Sequence, residues 1–346
     1  MIDIRPFNPK ETSDDFWSSY FEFTEAISLE ENPDDPLPNR EQSIKNQKTD
    51  YPHFTTARWL AYNEEKKIVG WAGMGYHQTT ASDFDQNGHL GQARVTVAKD
   101  FRRRGIGSQL LKQIIHRFLE TGYVTLIQTG SDTPSGNAFC AFLGGAKTIE
   151  GAENRFYLSE IKWELMEEWR HDGKTRSPNS TLEQYQIIPD DIIEEFTTLY
   201  SDLLNQQPLG EMESRAKITP DSWREDTEIR RKLGTQHHIL LTKEADGGIS
   251  GLTDIFYNPS NPHCLQQGLT GVRPEFRGRG LGKWLKAEMI MFIRRVFPDV
   301  KYISTGNADI NAPMLSINTR MGYKRYKRGT GYKFKVEKLA KRLQIG

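Results

Sequence analysis

Two eleven-residue segments constrain this chain most strongly, because they are nearly the same segment written twice. The first runs from Val97 to Gly107 and the second from Val272 to Gly282, and six of the eleven aligned positions are identical. Each copy follows a short β-like run and precedes an amphipathic helix pattern. An internal repeat of this kind indicates two copies of one structural unit, so we expect two related α/β domains.

The glycines at the end of each copy favour a binding site for phosphate. Gly105 and Gly107, like Gly280 and Gly282, lie where a predicted strand turns into a helix. Glycine allows a tight turn and a close approach of a ligand to the backbone. The first N–H groups of the helix have no internal partner, and the helix dipole adds positive charge there. A single such segment could equally be a glycine-rich turn with exposed arginines. The presence of two copies favours the phosphate-binding site over that interpretation.

Two better-known phosphate motifs do not fit these segments. A Walker A loop requires Gly-Lys followed by Ser or Thr, and neither copy contains it. A dinucleotide fingerprint requires G-x-G-x-x-G and a downstream acidic residue, and neither copy provides these. The repeat therefore indicates another class of phosphate-binding protein.

The pattern Arg-x-x-Gly-x-Gly after a valine-rich strand resembles the acyl-CoA pyrophosphate loop of the GCN5-related N-acetyltransferase (GNAT) superfamily. It stands here as Arg102 to Gly107 and as Arg277 to Gly282. Downstream of the second copy, residues 304–323 look like the strand, the helix and the closing Gly-aromatic pair of a GNAT domain, in the form seen in tandem-GNAT proteins. The resemblance is closer in the second half of the chain than in the first.

The resemblance implies a mixed α/β, α+β-like fold with two tandem GNAT-type domains, each a mostly antiparallel twisted sheet flanked by helices. We place an N-terminal domain at 1–165, a linker at 166–181 in the polar, breaker-rich region, and a C-terminal domain at 182–346. The implied cosubstrate is acetyl-CoA, with no metal. In the first copy the implied CoA contacts are Val97, Arg102, Arg103, Arg104, Gly105, Ile106, Gly107 and Ser108. In the second copy they are Thr270, Gly271, Val272, Arg277, Gly278, Arg279, Gly280, Leu281, Gly282, Lys283, Asn307, Asn311 and Asn318.

Acetyl transfer requires a group that polarises the thioester carbonyl. In the resembled family a backbone N–H on the strand before the loop has this role, which here implies residues 95–97 or 270–272. A β-bulge there is usual in the family, and Thr96 and Gly271 occupy the middle of the two segments.

The catalytic side chains are less well defined by the sequence. Many GNAT enzymes carry a tyrosine that protonates the departing thiolate, and the corresponding positions here hold Asn318 and Cys140. We predict that the C-terminal domain is catalytic, with Asn318 near the thiolate. Asp254 and Glu275 are the candidates for the general base, while a solvated strand charge and a helix-entry charge remain the alternative interpretations. His237 lacks metal-ligand spacing and is interpreted as a surface or core residue.

Composition excludes several functional classes. Lys plus Arg and Asp plus Glu number 46 each, so no net charge favours nucleic acid or an anionic membrane. Two cysteines are too few for a disulfide framework or a Cys-ligated zinc site. With no signal-peptide pattern or membrane-spanning run, we expect a cytoplasmic monomer or homodimer.

The expected function is acetyl-CoA-dependent N-acetylation of a primary amine on a small molecule or peptide. An aminoacyl-tRNA-dependent peptidyl transferase is one alternative, but such proteins usually lack an intact CoA loop and carry a coiled-coil arm. A relative that makes a thiol such as mycothiol remains possible. The alternative outside enzymes is a non-catalytic CoA-binding regulatory or scaffold protein, which the residues Asn318 and Cys140 support.

Overall fold

The structure is a computed structural model that describes residues 1–345. Its strands are β1 (Asp3–Pro6), β2 (Phe54–Tyr62), β3 (Ile68–His77), β4 (Leu90–Val97), β5 (Leu126–Ser131), β6 (Ala146–Tyr157), β7 (Thr181–Tyr185), β8 (Gln236–Lys243), β9 (Ile249–Tyr257), β10 (Cys264–Val272), β11 (Tyr302–Ala308) and β12 (Lys324–Lys335). Its helices are α1 (Asp14–Glu31), α2 (Arg40–Lys48), α3 (Phe84–Asn87), α4 (Ile106–Thr121), α5 (Pro134–Phe142), α6 (Trp163–Arg176), α7 (Ile193–Asn205), α8 (Pro220–Lys232), α9 (Leu281–Val296), α10 (Ala312–Met321) and α11 (Val336–Arg342). Among these residues no helix is both long and apolar enough to cross a membrane.

The chain forms two compact units that interleave along the sequence. Unit 1 contains Met1–Ile149, Glu211–Arg215 and the C-terminal residues from Gly329, and unit 2 contains Glu150–Gly210 and Ala216–Arg328. Each unit holds one copy of the repeated segment. The prediction of a mixed α/β fold with mostly antiparallel sheets is confirmed.

Unit 1 completes its sheet with a strand from the end of the chain. Its strand order is β1-β2-β3-β4-β5-β12, and only β4 and β5 run parallel. Strand β12 pairs with β5 from Thr330↔Ser131 to Lys335↔Leu126. Helix α4 covers one face of this sheet with Leu110, Ile114 and Phe118, which are fully buried.

Unit 2 repeats this arrangement and takes its last strand from the first half of the chain. Its order is β7-β8-β9-β10-β11-β6, with β10 and β11 as the parallel pair. Strand β6 pairs with β11 from Gly151↔Ala308 to Tyr157↔Tyr302. The two copies therefore share one topology, and each sheet ends with a strand supplied by the opposite half of the sequence.

The units differ from the predicted division at 166–181. Most of that region is helix α6, which continues through the supposed breakers to Arg176. Met166, Trp169 and Gly173 are buried, and Gly173 packs so closely on Trp284 of α9 that a Cβ would clash with the indole. The helix persists because its apolar face is covered by α9, which the polar composition of the segment does not reveal.

Two segments of the predicted C-terminal domain, 182–346, belong to unit 1 instead. The segment Glu211–Arg215 does so because Glu211 N–H donates to Thr148 and Arg215 N–H donates to Asn87. The residues from Gly329 do so because strand β12, which is continuous across residues 329–331, pairs with β5.

Lys286 of α9 provides a test of the core of unit 2. It is 2 % exposed, and burial lowers the pKa of its amine from 10.5 to about 8. Because the ammonium is therefore disfavoured in the fold, we expect Lys286→Met to raise the free energy of unfolding at pH 7 by about 3 kcal/mol. The wild-type protein should gain stability as the pH rises from about 8 towards 10.5, so the difference in free energy of unfolding between the variant and the wild type should shrink in that interval.

Chemical denaturation across this pH range measures both effects, with the exposed Lys338→Met as control. An unchanged difference from pH 7 to 10 would contradict the prediction.

Candidate active site

In each unit the parallel strands separate and leave a wedge-shaped opening. In unit 2 the pairing of β10 with β11 ends at Gln266↔Ser304, although both strands continue. In unit 1 the pairing of β4 with β5 ends at Gln92↔Gln128. Beyond these points no strand among residues 1–345 pairs with β4 or β10 on the wedge side.

The direction of the free backbone groups follows from the bonds at the end of each strand. Arg273 N–H donates to Ser250 of β9, and the Val272 carbonyl points away from β9 and accepts from Arg277 Nε at 3.1 Å. The N–H and C=O groups of one strand residue point to the same side, and that side alternates from each residue to the next. The N–H groups of Thr270 and Val272 therefore point away from β9, into the wedge. The same argument applies to Val95 and Val97 in unit 1.

The strand irregularity lies two to three residues before its predicted place in the second copy, and β4 in the first copy pairs with β3 without one. In β10 the register with β9 shifts between Gln267 and Thr270, so the extra residue falls at 268–269 rather than at Gly271. Strand β4 pairs with β3 from Gly91 to Val97 without a shift, so Thr96 lies in a regular strand. Gly271 instead lies against Leu203 of α7, where a Cβ would come within 2.8 Å.

The glycine loops adopt the left-handed backbone that the sequence predicts for a turn into a helix. Gly105 has φ of 79° and Gly280 has φ of 84°, and each immediately precedes the first residue of α4 or α9. Both helices therefore direct their first N–H groups at the loop, as an anion site requires. The predicted glycine turn into a helix is present in both units, and phosphate binding there stays a prediction.

The first arginine of each motif has a partner within the protein. Arg102 donates from Nε to the Val97 carbonyl at 2.9 Å and forms a bidentate pair with Glu30 of α1. Arg277 makes the equivalent bond to Val272, and its Nη2 donates to Gln206. These bonds tie the loop to the preceding strand. They give both arginines a positioning role in the fold, while their predicted contact with phosphate stays a prediction.

A cation from outside the motif lies beside the loop of unit 2. Arg279 is occupied by Glu244 and by Ser180, with bonds of 3.0 and 2.9 Å. Arg176, at the end of α6, donates to the Gly278 carbonyl, and its Nη1 lies 3.9 Å from the position of a Cβ on Gly280. Arg176 therefore places a guanidinium beside the backbone that is the candidate phosphate site of this unit.

The loop of unit 1 is more open. Arg103 and Arg104 are exposed, and Arg104 stacks on Phe101 at 5.2 Å. A Cβ on Gly105 would meet only the end of Gln109, at 3.9 Å. Both arginines can thus turn towards an anion on this loop.

The predicted asparagines form one wall of the wedge in unit 2. Asn311 caps α10 by accepting from Met314 N–H at 3.4 Å. Asn318 is 2 % exposed and donates from Nδ2 to Asn307 Oδ1 at 2.8 Å, while its own Oδ1 is buried without a hydrogen-bond partner. One of the two N–H groups of Nδ2 is engaged with Asn307 and the other can still donate, so the predicted place of Asn318 near the thiolate stays a prediction. In unit 1, burial raises the pKa of the Cys140 thiol to about 11.

Asp254 lies at the centre of a buried polar cluster on β9. It is fully buried, and its Oδ2 lies 2.8 Å from Tyr200 Oη and 2.8 Å from His237 Nε2. Its Oδ1 has no hydrogen-bond partner within the described residues 1–345 and lies next to Gly268, where a Cβ would clash with it. Burial, followed by the charge of Asp254, raises the pKa of Tyr200 well above its usual value, so Tyr200 remains a neutral donor. One carboxylate oxygen is thus held in place while the other is free beside the bulge.

Sequence reasoning missed two members of this cluster. His237 was interpreted as a surface or core residue, and Tyr200 was not considered. A signal was available, because a carboxylate within the apolar run of β9 requires partners. His237 lies one strand away in the pair His237↔Phe256, and its ring stacks on Phe256 at 4.2 Å.

Unit 1 has no carboxylate at the equivalent point. Gly251 pairs with Val272 as Gly70 pairs with Val97, so Gly73 corresponds to Asp254. The register of unit 1 places Arg58 and Arg94 on either side of Gly73. The other candidate base, Glu275, is exposed on the turn Pro274–Phe276 before the second loop, as a helix-entry charge would be.

The bulge supports a test of the packing around Asp254. Gly268→Ala should displace Asp254, because the new methyl group would overlap Oδ1. We expect a loss of about 1–3 kcal/mol in the free energy of unfolding. The control is Gly130→Ala in β5, where the nearest atom would lie at an ordinary 3.8 Å. Equal stability of the two variants in urea denaturation would argue against this packing.

The family comparison gives a direct match. Residues 13–144 match the model of the acetyltransferase (GNAT) family. This match assigns the first copy of the wedge and loop to the GNAT family. Unit 2 repeats the same arrangement of strands. The family match falls on the first copy, although the sequence motifs resemble the family more closely in the second. No curated protein matches the sequence.

Solved structures resemble this chain over nearly its whole length. A tandem GNAT protein from the clavulanic acid biosynthesis pathway has a TM-score of 0.75 at 20% identity, covering 97% of this chain and 99% of that one. A GCN5-related N-acetyltransferase from Sphaerobacter thermophilus has a TM-score of 0.66 at 14% identity, covering 97% and 96%. A fungal glucosamine N-acetyltransferase region in a multi-domain β-N-acetylglucosaminidase has a TM-score of 0.65 at 13% identity, covering 96% of this chain and 38% of that one. At these identities the likeness establishes the fold alone.

Proposed function

We propose that this protein is an acetyl-CoA-dependent N-acetyltransferase that acts on a primary amine, with the chemistry in unit 2. The observation that carries the proposal is the free Oδ1 of Asp254 beside the bulge of β10. Unit 1 offers the same wedge and an open loop but has Gly73 in place of the carboxylate. The general class, an acyltransferase of the GNAT family, rests on the family match and the fold.

The chain supplies three elements for this reaction. The N–H groups at the start of α9, with Arg176 beside them, bind the pyrophosphate of the cosubstrate. The Thr270 N–H, directed into the wedge, donates a hydrogen bond to the thioester oxygen and stabilises the negative charge that develops there. Asp254 accepts a proton from the attacking amine, while Tyr200 and His237 hold the carboxylate in place.

The leaving group makes a smaller demand on the protein. As the new C–N bond forms, the C–S bond breaks and the electron pair leaves on sulfur. A thiol with a pKa of about 8.5 is an acceptable leaving group without prior protonation. The reaction can therefore proceed although Asn318 replaces the family tyrosine and is bound to Asn307.

A non-catalytic CoA-binding protein is the second candidate, and the asparagine at position 318 favours it. The two functions share one expectation. Acetyl-CoA should raise the melting temperature, because a ligand that binds only the native state adds about 2.7 kcal/mol at a hundredfold excess over Kd. No shift at millimolar acetyl-CoA or CoA would contradict both candidates.

Turnover separates the two candidates. The purified protein is incubated with acetyl-CoA and a panel of primary amines, and the released thiol is followed together with the mass of the amide product. We expect thiol release and amide in a one-to-one ratio with at least one amine. Cosubstrate binding without turnover over a broad panel would favour the regulatory or scaffold function.

A further inference from the structure

Arg230 of α8 is a partly buried cation beside the Asp254 cluster. Its Cζ lies 5.1 Å from the Trp223 ring, and its Nη2 donates to Thr227 Oγ1 at 3.1 Å. Its Nε is buried and has no hydrogen-bond partner in the part of the chain that the structure describes. Among residues 1–345 no carboxylate oxygen forms an ion pair with Arg230. Asp226, one turn earlier on the same helix, attracts the guanidinium electrostatically at longer range. A cation in this position is costly unless an anion completes its surroundings.

The same indole connects Arg230 to the proposed base. The Trp223 ring lies 5.5 Å from the His237 ring and 5.1 Å from the Tyr200 ring. Both of those side chains hold Asp254 Oδ2. Burial lowers the pKa of Arg230, with Asp226, Tyr200 and Asp254 opposing this effect, and a guanidinium stays protonated in proteins. The Trp223 ring therefore lies close both to the two side chains that hold the proposed base and to a cation that has no ion-pair partner among residues 1–345.

We propose that the acceptor in unit 2 is an amino acid or a closely similar zwitterion, whose carboxylate binds Arg230 while its amine reaches Asp254. This inference rests on the proposed function and names the class of its substrate. A guanidinium binds a carboxylate with two parallel hydrogen bonds, and the free Nε is one of the donors that such a pair uses. Trp223 provides an apolar surface for the carbon atoms between the two groups.

Matched acceptor pairs test the proposal. L-phenylalanine is compared with phenethylamine, L-alanine with ethylamine and L-lysine with cadaverine, so that each pair differs only in the carboxylate. We expect the wild-type kcat/KM to favour the amino acid by roughly 10- to 100-fold, the effect of hydrogen bonds to a charged group. Arg230→Met should reduce this ratio towards one, mainly through KM. Arg230→Lys should restore part of it.

The control is Arg231→Met, because Arg231 is exposed and paired with Glu228 on the same helix. It should keep the wild-type preference. Equal use of both members of each pair by the wild-type protein would overturn the inference and leave the proposed function standing. A preference that persists in Arg230→Met would also overturn it. Failure to acetylate any amine would contradict the proposed function itself, and the inference with it.

Discussion

Asp254→Asn should reduce acetyl transfer by about 10²- to 10⁴-fold, the range that a positioned general base contributes. The substitution keeps the shape of the side chain but removes the oxygen that can take a proton. Acetyl-CoA should still bind, because the loop from Arg277 to Gly280 lies on another element of the unit. The measurement is the initial rate of thiol release at saturating acceptor, with the thermal shift by acetyl-CoA recorded for both proteins.

The neighbours of Asp254 make the control for folding necessary. An amide at this position must accommodate Tyr200 Oη and His237 Nε2, both 2.8 Å from the present Oδ2. Tyr200→Phe removes one of these bonds and leaves the carboxylate, so it serves as the matched variant and should lose much less activity. A wild-type rate in a folded Asp254→Asn protein would show that Asp254 is a structural carboxylate.

The features set by local sequence were predictable. The left-handed glycines at 105 and 280 follow from the short motif, because few residues other than glycine adopt that backbone readily. The helices after them follow from an apolar stripe that the sequence displays. The choice of Asp254 as a candidate base also came from the sequence, and its assignment remains a prediction.

The features set by long-range pairing were not predictable. Strand β12 completes the sheet of unit 1, and β6 completes that of unit 2. The residues of these two strands do not by themselves indicate which distant strand each one pairs with. Helix α6 shows the same limit, because its polar composition indicated a linker while α9 supplies the cover that stabilises it. Arg176 was missed for that reason, since it reaches the second loop only from the end of α6.

The partners of Arg102 and Arg277 illustrate a second limit. An arginine in a glycine-rich motif indicates phosphate when only the sequence is known. In the fold Arg102 donates to Glu30 at the end of α1, and Arg277 donates to Gln206 directly after α7. A motif identifies the loop, but the neighbouring helices decide which of its side chains are free.

Gly280→Val should abolish thiol release. Gly280 has φ of 84°, which strains any β-branched residue, and the valine side chain would project beside Arg176 into the space over the first turn of α9. Loss of a pyrophosphate site removes binding energy that positions the reacting thioester, so the loss should appear in kcat/KM. The rate is measured with the best amine of the panel, and circular dichroism verifies that the variant is folded.

The most direct test of catalysis in unit 2 compares this variant with Gly105→Val, which places the same change at the same backbone geometry in unit 1. Thiol release from acetyl-CoA and the number of bound CoA molecules are measured for both variants and the wild type. We expect Gly105→Val to retain most of the activity and to lose at most one bound CoA, while Gly280→Val is inactive. The reverse pattern would move catalysis to unit 1, and equal losses would show that the assignment of chemistry to unit 2 alone is wrong.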